Sequence, residues 1–133
     1  MTLSILLPVF NEKNTISAIL KKIDEVDLED LGFDKEIIII DDGSKDGTVD
    51  VLRGLEGRYK ILYHPRNRGK GAAIRTGLKE ASGDYVIIQD ADLEYDPNDY
   101  RKLLEVALKN NAEVVYGSRL TNHQNKFSHT SYY

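Results

Sequence analysis

Cysteine is absent from the 133 residues, which excludes disulfides and thiolate metal ligands and is compatible with a reducing compartment. Nor does any apolar run approach the roughly 20 residues that a bilayer-spanning helix needs. The opening stretch MTLSILLPVFNE lacks the basic segment and small-residue cleavage site of a signal peptide, so the chain reads as cytoplasmic. A basic surplus is missing too. Eighteen Lys and Arg stand against 22 Asp and Glu, a net charge of −4, which argues against nucleic acid as a partner. Internal repeats are not found. What is present, 41% hydrophobic and 30% charged residues, suits one soluble globular domain with one core.

Strand and helix signals alternate along the chain. LSILLPVF (3–10) is a short apolar run ended by Asn11 and Glu12, as in a buried strand. From an N-cap at Asn14, the residues Ile16, Ile19, Leu20, Ile23 and Val26 recur at helical spacing. EIIIIDDGS (36–44) carries four consecutive isoleucines, the pattern of a parallel strand covered on both faces. A helix over 48–57 and a short strand at 60–64 follow. KGAAIRTGLKEAS (70–82) is helical, and Ala73, Gly77 and Ala81 give it a small-residue face for close packing. DYVIIQDAD (84–92) is a further strand. Asp96-Pro97 starts a helix, and its buried face is Tyr100, Leu103, Leu104, Ala107 and Leu108. AEVVYGSR (112–119) is the last strand, and 120–133 has no clear period and is expected to be an irregular tail. This alternation predicts an α/β domain over 1–119 with a largely parallel sheet flanked by helices.

In such sheets ligands sit beyond the carboxyl ends of the strands, and the polar clusters fall there. Pro8–Glu12 follows the first strand, Asp41–Thr48 the second and Asp90–Asp96 the fourth, while HPRNRGKG (64–71) precedes the third helix. Asp90 and Asp92 are two residues apart and face the same way if strand geometry persists. Two carboxylates aimed at one point suit Mg²⁺ or Mn²⁺. The plain alternative, one capping and one solvated aspartate, stands at even weight on spacing alone. Asp96 is assigned to helix capping, and Glu94 to solvent or the surroundings of a metal.

DDGSKDGT is not an EF-hand loop, because its twelfth position from Asp42 is Arg53 rather than a bidentate glutamate. Its Gly, Ser and Thr serve a turn, and either Asp41 or Asp42 is expected to meet ligand. NRGKGAAIRTG lacks the order of a P-loop. Lys70, Arg66, Arg68 and Arg75 are placed to face a diphosphate, although a solvated basic turn accounts for most of them. His64 reads as structural, and metal binding by His123 or His129 is not expected.

The stretches SILLPVFNE, EIIIIDDGSKDGT, NRGKGAAIRTG, DYVIIQDADLEYDP and VVYGSR, in this order, closely resemble family 2 glycosyltransferases of the GT-A fold. Within the family they are most similar to the dolichyl-phosphate mannose synthase-like, polyprenyl-phosphate glycosyltransferases. The resemblance spans about residues 3 to 119. It implies an inverting transfer of a hexose from a GDP- or UDP-sugar to a polyprenyl or dolichyl phosphate, with a divalent Mg²⁺ or Mn²⁺, at the cytoplasmic face of a membrane. Pro8, Phe10, Asn11 and Glu12 are implied to line the nucleoside pocket. Asp42 is implied to bond the base with Asp41 beside it, Lys70 to lie near the nucleotide, and Ala91 to approach the ribose by its backbone. Asp90 and Asp92 match the D-x-D that holds the donor diphosphate through the metal, and Arg119 of GSR is implied to sit near the phosphates or acceptor.

Family members normally continue well past the GSR motif with acceptor-side elements, so this chain is expected to comprise the nucleotide half. A homodimer that covers an exposed sheet edge is a further expectation. The alternative function is a non-catalytic nucleotide-sugar-binding module. A phosphatase or phosphotransferase using the first aspartate of D-x-D as nucleophile is disfavoured, since that motif follows the fourth strand instead of the first.

Overall fold

The computed structural model describes residues 1–91, 96–110, 114–115 and 119–122. The long hydrophobic strand β1 (Thr2–Val9) lies at the centre, flanked in parallel by β2 (Asp34–Asp41) and β4 (Tyr85–Ile88). A parallel β3 (Lys60–Tyr63) pairs with the outer side of β2. Beyond β4 come β6 (Arg119–Asn122), antiparallel to it, and β5 (Val114–Val115), antiparallel to β6. Four helices are described: α1 (Ile16–Glu25), α2 (Thr48–Arg53), α3 (Lys70–Glu80) and α4 (Tyr100–Asn110). The strand order β3-β2-β1-β4-β6-β5 grows outward from β1 in both directions, which creates a topological switch point between β1 and β4.

The isoleucine-rich strands are apolar on both faces because helices cover both. On one face Ile5, Leu7, Ile39 and Ile87 pack with Ile16, Ile19 and Ile23 of α1 and with Tyr100, Leu104 and Ala107 of α4. On the other face Leu6, Ile38, Ile40 and Val86 meet Ala73, Leu78 and Ala81. Each fully buried Ile or Leu contributes about 1.5–3 kcal/mol through removal of apolar surface from water. The small-residue face of α3 performs as expected. A Cβ on Gly77 would stand 2.7 Å from the Ile40 Cδ1, so glycine is what lets the helix lie this close to the sheet.

The structure departs from the sequence expectation at several boundaries. The N-cap of α1 is Thr15 rather than Asn14, because Glu12 fixes the turn: its carbonyl accepts from Thr15 and Ile16 N–H, and its carboxylate accepts the Thr15 hydroxyl at 2.7 Å. The second helix stops at Arg53 instead of 57. Leu108, expected on the buried face of α4, is exposed, since the buried stripe is Tyr100, Leu103, Leu104 and Ala107. Of the strand expected over 112–119, Val114–Val115 form β5 while Arg119 opens β6, antiparallel to it, and Leu120–Asn122, expected in the tail, pair with β4 as part of β6. Residues 123–133 lie outside the described residues.

β4 also ends at Ile88, four residues earlier than expected. There Gln89, fully buried, still donates its backbone N–H to the Leu6 carbonyl at 2.9 Å, while its side chain turns to other partners: its amide donates to the Asp90 carbonyl at 3.1 Å, and its oxygen accepts the Tyr100 hydroxyl at 2.6 Å. Asp90 therefore lies beyond the strand, and the strand geometry on which the expected shared face of Asp90 and Asp92 depended does not persist to it. Asp92 and Glu94 lie outside the described residues. Asp96 behaves as expected, its side chain accepting the Asn98 N–H at 3.0 Å at the start of a 3₁₀ turn that leads into α4.

Candidate active site

At the switch point the carboxyl ends of β1, β2 and β4 and the start of α3 enclose a crevice of about 380 Å³. That is a size suited to a small-molecule ligand. β1 contributes Pro8, Val9, Phe10 and Glu12; β2 contributes Asp42; the α3 approach contributes Asn67, Gly69, Lys70 and Ala73; and β4 leads to Asp90 and Ala91. Phe10, 44% exposed, contributes an aromatic side chain to the crevice lining. Of the residues expected at one site, Pro8, Phe10, Glu12, Asp42, Lys70, Asp90 and Ala91 line this one crevice.

Asp42 is 3% exposed and its carboxylate organises the neighbouring loop. Oδ1 accepts from the His64 ring at 2.8 Å and the Arg68 N–H at 2.9 Å, and Oδ2 accepts the Gly69 N–H at 2.9 Å. Burial pushes its pKa up, but the hydrogen bond from His64 and the two backbone donors outweigh that and hold it below the ordinary carboxylate value. Both oxygens are thus engaged in holding the chain before α3, while the residue still lines the crevice.

Successive residues at a strand end point to opposite faces, and Asp41 accordingly points away from the crevice. It lines a separate cleft with Ser44, Lys45, Arg53 and Tyr63, accepting the Ser44 N–H at 3.1 Å. Asn11 does not line the crevice either. Held at φ +53°, it joins two loops, donating its N–H to Ser44 Oγ at 2.8 Å and accepting the Lys45 N–H at 2.9 Å.

Lys70 forms an ion pair with Asp90 across the crevice. Arg66, Arg68 and Arg75 are exposed and stand outside the crevice lining, as a solvated basic turn would place them. His64 is structural, as expected. Asn67, Gly69 and Ala73 are lining residues that sequence reasoning missed; only their place in the glycine-rich segment hinted at them. The backbone of Arg119 pairs with Ile88 at the end of β4, and Asp92 lies outside the described residues.

Asp90 fits a cation, since its 20%-exposed carboxylate already holds an ammonium group. Among the described residues no group of three His, Cys, Asp or Glu could hold a metal. Mg²⁺-type sites commonly use one or two carboxylates with substrate phosphates supplying the rest, so a single described carboxylate is consistent with that pattern.

The family model described as "Glycosyl transferase family 2" matches residues 4–132. The chain is 35% identical over 121 residues to "Dolichol-phosphate mannosyltransferase" of Pyrococcus furiosus, covering 90% of this chain and 33% of that protein. It is 36% identical over 110 residues to "Undecaprenyl-phosphate 4-deoxy-4-formamido-L-arabinose transferase" of Aeromonas hydrophila, covering 80% of this chain and 33% of that protein. The chain thus spans about a third of the length of these curated relatives. Among solved structures, a mannosyltransferase from Pyrobaculum calidifontis in complex with GDP-Man and Mn²⁺ superposes with TM-score 0.62 at 28% identity, over 73% of this chain and 29% of that one. S. aureus TarS 1–349 in complex with UDP-GlcNAc superposes with TM-score 0.71 at 22% identity, over 86% of this chain and 33% of that one, a likeness of fold.

Proposed function

The chain belongs to glycosyl transferase family 2, and on that premise we propose that its crevice binds a nucleoside-diphosphate sugar, GDP-mannose or a UDP-hexose. The hexose passes with inversion to a polyprenyl or dolichyl phosphate. The observation that carries this reading is the convergence, at the switch point, of an exposed aromatic, a buried aspartate, a helix start with its lysine, and the first aspartate of D-x-D. The names of the curated relatives support a lipid-phosphate acceptor, and the GDP-Man and Mn²⁺ in the Pyrobaculum structure support the donor class and the metal.

In this reading Pro8, Phe10 and Glu12 receive the nucleoside, with Asn11 and Asp41 bracing the loops behind them. Asp42 fixes the Arg68–Gly69 backbone and faces the base, and the Ala91 backbone faces the ribose. Lys70, at the start of α3, faces the diphosphate, where the helix N-terminus also favours negative charge. Asp90 and Asp92 would hold the Mg²⁺ or Mn²⁺, which supplies Lewis-acid stabilisation of the departing diphosphate. Arg119 is assigned to the phosphates or the acceptor. A phosphate acceptor is already ionised near neutral pH, its second pKa being about 6, so attack on the anomeric carbon requires no general base. His64, engaged on both nitrogens, is consistent with that.

A lipid acceptor puts the reaction at the cytoplasmic face of a membrane; among the described residues no helix is long and apolar enough to cross one. Thermal unfolding with GDP, UDP and their sugars, each with Mn²⁺ and with chelator, tests the reading. A ligand at 100 times its Kd adds about 2.7 kcal/mol of apparent stability, a shift of several degrees. A metal-dependent shift with one nucleotide is expected, and Asp92→Ala is expected to abolish its metal dependence while the fold persists. The absence of any shift, from a cooperatively folding sample, would remove the donor site. Transfer to a polyprenyl phosphate separates an enzyme from a binding module.

A further inference from the structure

Among the described residues three acids line the crevice, and they differ in what holds them. Glu12 is tied back to the Thr15 hydroxyl, and Asp42 is tied to His64 and two backbone N–H groups. Both sets of bonds shape the fold. Asp90 is held by Lys70, whose side chain is 54% exposed and reaches the carboxylate from the start of α3. This partner can leave without breaking a turn or a helix.

We propose that Lys70 is an internal counter-ion that occupies the metal's place on Asp90 and couples metal binding to diphosphate binding. The inference rests on the reading of Asp90 as a metal-facing residue. A divalent cation and the ammonium compete for the same carboxylate and repel each other, so metal binding costs the Lys70–Asp90 pair. The displaced ammonium remains attached to α3 at the crevice, where the donor's diphosphate is the anion that takes Asp90's place. Metal alone and nucleotide alone each meet a site whose charges are already paired. Together each finds its own partner, and the coupling is reciprocal.

The test is to titrate the nucleotide-free chain with Mn²⁺, reading free Mn²⁺ by electron paramagnetic resonance, for wild type, Lys70→Met, Lys70→Gln and Asp90→Asn. GDP and UDP titrations follow at zero and saturating Mn²⁺. Both Lys70 variants are expected to bind Mn²⁺ alone about two- to fivefold more tightly, the range for a partly exposed ion pair. They are also expected to bind nucleotide more weakly and with less dependence on Mn²⁺. If Asp90→Asn weakens Mn²⁺ binding while both Lys70 variants bind it no better than wild type, the counter-ion role is overturned and the metal assignment stands. If Asp90→Asn leaves Mn²⁺ binding unchanged, the metal assignment fails and the counter-ion role fails with it. Two Lys70 replacements of similar length keep the comparison available should one of them fold poorly.

Discussion

The ring of His64 bridges Asp42 and Thr76, with Nδ1 2.8 Å from the Asp42 Oδ1 and Nε2 2.8 Å from the Thr76 Oγ1. Since a carboxylate only accepts, Nδ1 donates, and in the neutral ring Nε2 takes the threonine hydroxyl. One imidazole thus connects the end of β2, the end of β3 and the body of α3, all behind the crevice wall. His64→Ala removes a donor from a buried carboxylate, at a cost of about 1–3 kcal/mol. The thermal midpoint is expected to fall by several degrees. His64→Asn, whose amide can take the place of Nδ1, is expected to lose less. Equal midpoints for the two variants would show that the Asp42 contact is not what His64 supplies.

Acid exposes the other half of that pair. The folded pKa of Asp42 lies below its ordinary value of 3.8, so the folded state holds the carboxylate charged more strongly than the unfolded chain does. Its contribution is therefore complete above about pH 4 and is lost as the pH falls from there through the folded pKa. The gap in thermal midpoint between wild type and Asp42→Asn is expected to be constant from neutrality to about pH 5 and to narrow below pH 4. A gap that narrows mainly between pH 5 and 7 would point to a different titrating group.

Tyr100 reaches the site from below. Fully buried at the start of α4, it donates its hydroxyl to Gln89, whose amide in turn donates to the carbonyl of Asp90. Burial pushes its pKa well up, assisted by the negative charge of Asp96. Tyr100→Phe keeps the ring and deletes one buried hydrogen bond, worth about 1 kcal/mol. A small loss of stability is expected together with weaker Mn²⁺-dependent nucleotide binding, because the segment carrying Asp90 loses a brace. A change in stability with unaltered nucleotide affinity would confine Tyr100 to the core.

Period and polarity made the central strands and most of the buried helix faces legible in the sequence. The isoleucine run of β2 could only be covered on both sides, and Ala73, Gly77 and Ala81 announced the close approach of α3. The site was legible because parallel strands deliver their polar ends to one edge. Side-chain bonding at the element ends was not legible: Gln89 turns its side chain to Asp90 and Tyr100 where β4 stops, and Glu12 takes the Thr15 hydroxyl where α1 begins. The division of labour between Asp41 and Asp42 was hidden as well. Sequence places both at the strand end, and only the pleat sends one to the crevice and the other to a different cleft.

Gly43 sets where that crevice wall stands. It adopts φ +76°, and a Cβ there would collide with the backbone of Arg66 and Asn67, the latter a lining residue of the crevice. Backbone atoms cannot rotate aside as a side-chain end can. Gly43→Ala therefore combines left-handed strain with a forced shift of the loop, roughly 2–5 kcal/mol together. Gly32 provides the control, since it has φ +79° but nothing within 4 Å of its would-be Cβ. Gly32→Ala carries the conformational term alone, about 1–2 kcal/mol. Urea unfolding is expected to rank the two in that order. Calorimetric titration with the nucleotide that stabilises the wild type is expected to show lost affinity in Gly43→Ala and none lost in Gly32→Ala. Equal stability losses would mean that the 64–69 loop yields freely. Retained affinity in Gly43→Ala would mean that the position of Asn67 is not part of donor recognition.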